Sequence, residues 1–317
     1  MPNNSFRIVF MGTPDFAVTI LDRLAQNNLS IVGVITAPDK PAGRGQQISE
    51  SAVKKYAVSK EMNILQPTNL KDETFINELQ ALNADLFVVV AFRMLPEIVW
   101  VMPPKGTINL HGSILPNYRG AAPINWAVIN GEKETGVTTF FIEKEIDTGK
   151  IIERESIAIG ENETAGELHD RLMELGAELT FKTVSKIIEG NVVGIHQLEL
   201  TEGELKPAPK IFKPDCKIDW SKDVQTVHNF VRGLSPYPTA WTILEKEGEQ
   251  KSFKIFLSEK TEINSTGKQA LYSDKDGIYI PCSDYYLKIT ELQPEGKRRM
   301  NFKEFIAGHD IKTFRTI

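Results

Sequence analysis

Three polar residues in the middle of the chain, Asn109, His111 and Asp147, are the strongest candidates for catalytic residues. Asn109 and His111 are two positions apart, so on a strand both side chains point to the same face. Gly112 follows at once and ends the strand, which leaves the pair at the carboxyl end, where open α/β sheets bind ligands. Asp147 follows another extended segment and can return to orient or charge the histidine. An amide, an imidazole and a carboxylate together favour attack on a carbonyl carbon, which is acyl-group chemistry.

The elements that must position these residues alternate between strands and helices. We expect strands at 7–12, 31–35, 85–92 and 107–110, and helices at 14–25 and 51–60. Buried β-branched strands separated by helices predict a mostly parallel, Rossmann-like α/β sheet covered on both faces. Thr164 and Glu167 have the spacing of a capping box and predict a further helix, which we expect to close this domain.

The pattern changes after residue 200. A segment rich in proline and lysine is typical of a linker, and a helix at 224–234 follows it. Short extended segments at 254–257, 277–281 and 285–292 then predict a small β-barrel or half-barrel. We therefore expect a catalytic domain at 1–200, a linker at 201–213 and an OB-like C-terminal β-barrel domain at 214–317.

Composition and missing motifs exclude several classes of protein. The 317 residues are 41% hydrophobic and 25% charged, as in an ordinary globular protein. The turn after the first strand, Gly-Thr-Pro-Asp-Phe-Ala, lacks two glycines of the dinucleotide fingerprint, which argues against a nicotinamide dehydrogenase. The five histidines are scattered without metal-ligand spacing, so we expect no metal.

Apolar segments, cysteine content and net charge give weaker evidence on the cellular compartment and on nucleic-acid binding. No apolar segment approaches the roughly 20 residues of a membrane span, and no signal peptide precedes the first strand. Cys216 and Cys282 are too few for a disulfide framework, so we expect a cytoplasmic protein. The net charge of −5 does not favour nucleic-acid binding, although local basic patches can act against an acidic background.

Several sequence blocks resemble one enzyme family. Residues 109–126, which begin Asn-Leu-His-Gly-Ser-Ile-Leu-Pro, and residues 141–149, which end Ile-Asp-Thr-Gly, resemble the 10-formyltetrahydrofolate-dependent formyltransferases. Further blocks are similar to the methionyl-tRNA formyltransferases, which pair a Rossmann-like domain with a C-terminal barrel: 38–45, 88–92, 218–222 and 231–241. The resemblance covers nearly the whole chain.

The resemblance implies a reaction and its partners. Asn109, His111 and Asp147 would be the catalytic residues. They would transfer the formyl group of the co-substrate 10-formyltetrahydrofolate to the α-amino group of initiator methionyl-tRNA. The product would be the N-formylmethionyl-tRNA of translation initiation. Neither a metal nor a membrane is implied, and a monomer fits a two-domain enzyme that wraps one tRNA.

The resemblance also implies two sets of binding residues. The folate would contact Phe92, Arg93, Met94, Leu95, Ser113, Ile114, Leu115 and Pro116. The tRNA would contact Lys40, Arg44, Lys206, Lys210, Lys297, Arg298 and Arg299. The sequence departs from the family pattern at Phe92-Arg93, where Tyr-Gly is usual, and at Glu143-Lys144-Glu145. Because arginine does not replace glycine at a positive φ without cost, we expect an altered folate edge or a contact from Arg93 to the glutamate tail.

Two kinds of alternative function share either the formyl-transfer chemistry or the formyltransferase scaffold. A related enzyme could formylate a sugar amine or glycinamide ribonucleotide, or hydrolyse the formyl-folate. A binding protein on a degenerate formyltransferase scaffold would not need Asn109, His111 and Asp147. Loss of catalysis in Asn109→Ala with tRNA binding retained would separate an enzyme from a binding protein.

Overall fold

The computed structural model describes residues 6–42, 47–201, 203–265 and 270–316. These residues divide into two compact units. Unit 1 contains residues up to 119, 136–156 and 170–207, and unit 2 contains 120–135, 157–169 and 208–317. The units differ from the expected domains in the two short segments that interrupt unit 1, because hydrophobic periodicity does not show which core a segment packs against.

The first two thirds of the chain alternate between strands and helices. In chain order the elements are β1 (Arg7–Gly12), α1 (Asp15–Gln26), β2 (Ser30–Ile35), β3 (Lys40–Ala42), β4 (Gln47–Ser49), α2 (Ala52–Ser59), β5 (Ile64–Leu65), α3 (Glu73–Ala81), β6 (Leu86–Val90), α4 (Glu97–Trp100), β7 (Thr107–His111), β8 (Arg119–Gly120), α5 (Pro123–Ile129), β9 (Glu134–Phe141), β10 (Ile151–Ala158) and α6 (Ala165–Glu189).

The last third is dominated by strands. Its elements are β11 (Pro207–Ala208), α7 (Val224–Leu234), β12 (Ala240–Lys246), β13 (Glu249–Asn264), β14 (Tyr272–Ser273), β15 (Ile278–Pro281), β16 (Tyr285–Pro294), β17 (Met300–Asn301), α8 (Phe302–Ile306) and β18 (Phe314–Thr316). Short 3-10 helices lie at Gln197–Leu200, Lys213–Cys216 and Ile311–Thr313.

The larger sheet of the first part has the strand order β10-β9-β7-β6-β1-β2-β5. The five strands from β7 to β5 are parallel, and β9 joins β7 in the antiparallel direction. All five residues of β6 are buried, as expected for a parallel strand covered on both faces. This arrangement confirms the expected Rossmann-like class. β6 ends at Val90, two residues before the expected end, and Ala91 has a φ of +46°.

The start of α6 carries the capping box that the sequence predicts. The Thr164 N–H donates to Glu167 Oε2 at 2.8 Å, and the Glu167 N–H donates to Thr164 Oγ1 at 3.2 Å. Two N–H groups at the helix start therefore have side-chain acceptors. No helix in the described part of the chain is both long and apolar enough to span a membrane.

The sheet of unit 2 is antiparallel, with the order β14-β15-β16-β13-β12-β18 and with β17 beside β16. The register of β13 against β16 shifts at three places between Ile255 and Asn264. Such bulges bend a strand and increase its twist, so the sheet curls into a half-barrel, as the sequence predicts. The strand that we expected at 254–257 is much longer, 249–264, because β12 pairs with its first half and β16 with its second half.

Two polar anchors explain why both short segments belong to unit 2. On α5, the Asn125 side-chain amide donates to Gly233 O of α7 at 2.7 Å. From α7, Arg232 donates to Glu163 O at 2.9 Å and to Gly160 O at 3.2 Å. Arg232 is buried, so these carbonyl acceptors replace the water that its guanidinium loses. Residues 120–135 and 157–169 are thus attached to the same helix.

Candidate active site

The strand β7 of unit 1 carries the first two candidate catalytic residues. Asn109 lies opposite Val89 of β6 on one side and Phe140 of β9 on the other, and His111 lies opposite Thr138. Because residues two apart on a strand share a face, both side chains point to the same side of the sheet. Asn109 is half-buried, so a bound molecule can reach its amide, whereas His111 is only 6% exposed.

The two ring nitrogens of His111 have different surroundings. Nε2 lies 2.8 Å from Tyr118 O, and a carbonyl can only accept, so Nε2 carries the hydrogen of this bond. Nδ1 lies 3.8 Å from Oδ2 of Asp147, whose carboxylate is largely buried. The nitrogen that can exchange a proton with a substrate is therefore Nδ1, and it faces the carboxylate. The structure thus brings together two residues that are far apart in sequence.

The loop after β7 is fixed by side-chain hydrogen bonds, which place the Tyr118 carbonyl. Ser113 Oγ donates to Asn117 O at 2.7 Å. The buried Thr138 hydroxyl donates to Ser113 O at 2.6 Å and accepts from the Leu115 N–H at 3.1 Å. Tyr118 has a left-handed backbone with φ of +62°. The acceptor for His111 is consequently held by a cross-linked turn, which the sequence pattern alone did not reveal.

Asp147 lies in the loop between β9 and β10. It also has a left-handed backbone, with φ of +55°, a conformation that aspartate tolerates better than most residues. Gln197 donates its side-chain amide hydrogens to the carbonyls of Asp147 and Gly149, both at 2.8 Å. A Cβ on Gly149 would lie 1.7 Å from Phe141 O, so only glycine fits there. Sequence reasoning missed Gln197, since no spacing relates it to Asp147.

The expected folate residues after β6 differ in exposure. Leu95 is buried in a cluster with Val99, Phe92 is half-buried against that cluster, and Met94 is 72% exposed. The guanidinium of Arg93 donates to Thr68 O at 2.8 Å and to Pro67 O. Burial lowers the pKa of Arg93. Arg93 thus holds a neighbouring loop, and the positive φ that we associated with position 93 occurs at Ala91 instead.

The expected folate residues after β7 are mostly interior. Ser113, Leu115 and Pro116 are buried, and Leu115 packs with Phe140 and Ile151. Leu115 O also accepts from Arg154 at 3.0 Å. Ile114 is half-buried, so its side chain and the loop backbone are the parts that a ligand can reach.

The expected tRNA residues are distributed over both units. Lys40 and Lys206 belong to unit 1, and the other described ones belong to unit 2; Arg44 lies outside the described residues. The six described side chains are exposed: Lys40, Lys206, Lys210, Lys297, Arg298 and Arg299. Arg298 forms an ion pair with Glu304 at 2.6 Å, and Arg299 pairs with Glu291.

Comparison with known proteins assigns the chain to a family. Residues 6–184 match the formyl transferase family, and residues 210–310 match the C-terminal domain of formyl transferases. The chain belongs to the formyl transferase family. The site on β7 therefore lies in the N-terminal formyl transferase segment, whereas Gln197 lies between the two matched segments.

Individual relatives extend this assignment. The chain is 53% identical to a methionyl-tRNA formyltransferase of Flavobacterium johnsoniae over 305 residues, which are 95% of this chain and 96% of that protein. It is 50% identical to one of Bacteroides fragilis over 315 residues, 98% and 97% of the two chains. The fold is similar to that of an N-formyltransferase from Helicobacter canadensis, solved with folinic acid and dTDP-3-aminofucose. That match has a TM-score of 0.67 at 21% identity and covers 93% and 100% of the chains.

Proposed function

We propose that the chain transfers the formyl group from N10 of 10-formyltetrahydrofolate to the α-amino group of initiator methionyl-tRNA. The observation that carries the choice of acceptor is the nearly full-length similarity to proteins named methionyl-tRNA formyltransferase. The geometry of His111 and Asp147 supports the chemistry, because Tyr118 O orients the ring at Nε2 while Nδ1 faces the Asp147 carboxylate.

The carbon–nitrogen bond forms when the amine attacks the formyl carbon. This step turns the formyl oxygen into an oxyanion, and hydrogen-bond donors at that oxygen lower the barrier. The donors in this proposal are the Asn109 amide and, when His111 carries a proton on Nδ1 as well as on Nε2, its Nδ1–H. Each such donor contributes roughly 2.7–4 kcal/mol of transition-state stabilisation. The bond between His111 Nε2 and Tyr118 O keeps the ring oriented while Nδ1 acts.

Two proton transfers accompany the attack. The amine must lose a proton, and N10 of the folate must gain one before the carbon–nitrogen bond to the folate breaks. Asp147 is the group that we assign to these transfers, directly or through water, since its carboxylate faces Nδ1 at 3.8 Å. The positive charge that His111 acquires with a proton at Nδ1 would lie beside the Asp147 carboxylate.

The folate and the tRNA need separate surfaces. For the folate we propose Phe92, Met94 and Ile114 as walls, because these expected residues are at least partly exposed. For the tRNA backbone we propose the exposed cations of Lys40, Lys206, Lys210 and residues 297–299, together with Arg44. Phosphate contacts of this kind would make tRNA affinity fall steeply with salt.

A competition assay tests the proposed function. 10-Formyltetrahydrofolate is offered together with initiator methionyl-tRNA, glycinamide ribonucleotide, an amino-sugar nucleotide and water. We expect formyl-methionyl-tRNA as the dominant product. Asn109→Ala should abolish most of the transfer and keep tRNA binding, which separates an enzyme from a binding protein. If the formyl group left 10-formyltetrahydrofolate equally fast in the absence of tRNA, the proposed acceptor would be wrong.

A further inference from the structure

Gln197 is a buried amide that lies far from Asp147 in sequence and bonds to its loop. It begins a short 3-10 helix after α6 and is 3% exposed. Its Nε2 donates to the carbonyls of Asp147 and Gly149, both at 2.8 Å. Its Oε1 accepts from Arg119, from Nε at 3.0 Å and from Nη2 at 2.6 Å. All four residues belong to unit 1.

The chemistry of the neighbours fixes which way this amide points. The arginine side chain can only donate hydrogen bonds, and the two backbone carbonyls can only accept them. A flipped amide would place Nε2 against the guanidinium and Oε1 against two carbonyl oxygens. Because the flipped amide would lose every bond, Arg119 and the two carbonyls together determine that the NH2 group faces the Asp147 loop.

The Asp147 loop needs such support, because it is held in an uncommon conformation. Asp147 has a φ of +55°, and Gly149 leaves no space for a Cβ against Phe141 O. Both carbonyls that flank Thr148 bond to the same NH2 group of Gln197. The amide therefore bridges the turn and fixes the direction in which the Asp147 side chain leaves the backbone.

The same network reaches the other partner of His111. Arg119 directly follows Tyr118, whose carbonyl accepts from His111 Nε2 at 2.8 Å. Through the Arg119 side chain, Gln197 joins the residue after that acceptor to the loop that carries Asp147. The groups that face the two ring nitrogens of His111 are thus connected by one buried amide.

We propose that Gln197, oriented by Arg119, is a positioning residue that keeps the Asp147 carboxylate facing Nδ1 of His111 for the proton transfers assigned to that carboxylate. This proposal rests on the proposed function, because it assigns Gln197 a role in that reaction. Gln197 touches no reacting atom; it acts through the backbone of Asp147. A substitution of Gln197 should therefore lower kcat and leave the KM values for folate and tRNA nearly unchanged.

The test compares Gln197→Met with the wild type and with Thr201→Val. Methionine has a similar length but no donor, so the Asp147 loop can relax. A misplacement of about 1 Å can cost about 100-fold in rate, and we expect a fall in kcat of roughly 10- to 100-fold with nearly unchanged KM values. Thr201 donates to Gln197 O at 3.0 Å, so Thr201→Val perturbs the same helix and spares the amide. Its kcat should stay near that of the wild type.

A double-mutant cycle distinguishes positioning from a general loss of structure. If Gln197 acts through Asp147, Gln197→Met should lower kcat no further in an Asp147→Asn background. Effects that multiply would overturn the proposal, as would a Gln197→Met enzyme with full kcat. If Gln197→Met is too unstable to purify, Arg119→Met tests the same linkage, because it removes both donors to Gln197 Oε1 and weakens the hold on the amide. A full kcat in Arg119→Met would also overturn it.

The wild type separates this proposal from the proposed function. A wild-type chain that formylates no methionyl-tRNA overturns both. An active wild type whose Gln197 variants keep their kcat overturns only the role of Gln197.

Discussion

Each unit contains one deeply buried histidine, and the two are surrounded in opposite ways. In unit 1, Nε2 and Nδ1 of His111 both face oxygens, from Tyr118 and Asp147. In unit 2, His228 of α7 is 1% exposed, and its Nδ1 lies 3.0 Å from Ser258 Oγ. Its Nε2 has no hydrogen-bond partner among the described residues. The first ring faces a carboxylate, and the second is buried without a carboxylate hydrogen-bonded to either nitrogen.

The charged groups around His228 strengthen this difference. Burial, and then the positive charges of Arg232 on α7 and Lys260 on β13, lower the pKa of His228 from 6.5 to about 4. The backbone and the carboxylate of Glu161 raise the pKa of His228, but their effect is smaller than that of burial and the two positive charges. Burial of a histidine therefore does not by itself indicate catalysis. The groups that face the two ring nitrogens determine whether the ring can exchange protons.

The largest expected effect separates the two histidines by kinetics. His111→Ala removes the Nδ1–H donor and the partner of Asp147, so we expect kcat for formyl transfer to fall roughly 1,000-fold. His228→Ala should keep kcat within about twofold and lower the stability of unit 2 by about 2–4 kcal/mol, as a core cavity does. Single-turnover formylation and urea unfolding measure the two effects. Similar losses of kcat in both variants would break the comparison.

The second prediction concerns stability in acid. Because the folded pKa of His228 is about 4 and the ordinary value is 6.5, the unfolded chain binds the proton more tightly. This contribution to stability is fully present above pH 6.5 and is lost as the pH falls towards 4. The loss amounts to roughly 3 kcal/mol. Urea midpoints of unit 2 between pH 7.5 and 4.5 measure it.

His228→Gln is the control for this titration, because glutamine keeps polarity without an ionisable ring. Its urea midpoint should fall less than that of the wild type over the same pH range. An identical pH dependence in both proteins would show that other groups cause the acid sensitivity.

The sequence predicts elements best where local chemistry decides them. The expected helix at 224–234 coincides with α7, since an apolar face and the Asp223 cap define it locally. The strand at 249–264 was underestimated, because its exposed charged residues obscure a strand that the neighbouring strands stabilise. Local patterns also could not show that residues 120–135 and 157–169 pack with unit 2.

The same distinction applies to the candidate site. Asn109 and His111 could be found because their types and spacing on a strand carry the signal. The carbonyl of Tyr118 could not, because any residue supplies a carbonyl and only the turn decides where it points. Gln197 could not either, since a glutamine in an irregular segment has no periodicity that links it to Asp147.

The third prediction concerns the basic residues of unit 2, which we expect to affect binding and not turnover. Lys297→Ala should weaken tRNA binding uniformly and lower the slope of log affinity against log salt by about 1. Arg298→Ala and Arg299→Ala should have smaller effects, because each arginine already pairs with a carboxylate, Glu304 or Glu291. Filter binding at several salt concentrations measures the slopes. A larger change of slope in the arginine variants would contradict this order.

The smallest expected effect is at Arg93, where the sequence departs from the family pattern. Its guanidinium donates to the carbonyls of Pro67 and Thr68 at an exposed position, so Arg93→Gly should lower the stability of unit 1 by about 1 kcal/mol. The KM for the folate should change less than about threefold, because the left-handed residue of this segment is Ala91. Ala91→Gly is the matched variant and should stabilise the chain by up to about 1 kcal/mol, since glycine adopts φ of +46° without strain. Steady-state kinetics and thermal unfolding of both variants measure these changes. A tenfold rise in the folate KM for Arg93→Gly would instead show that Arg93 contacts the folate. Arg93 would then belong with the functional residues of unit 1 and not with those that only stabilise the fold.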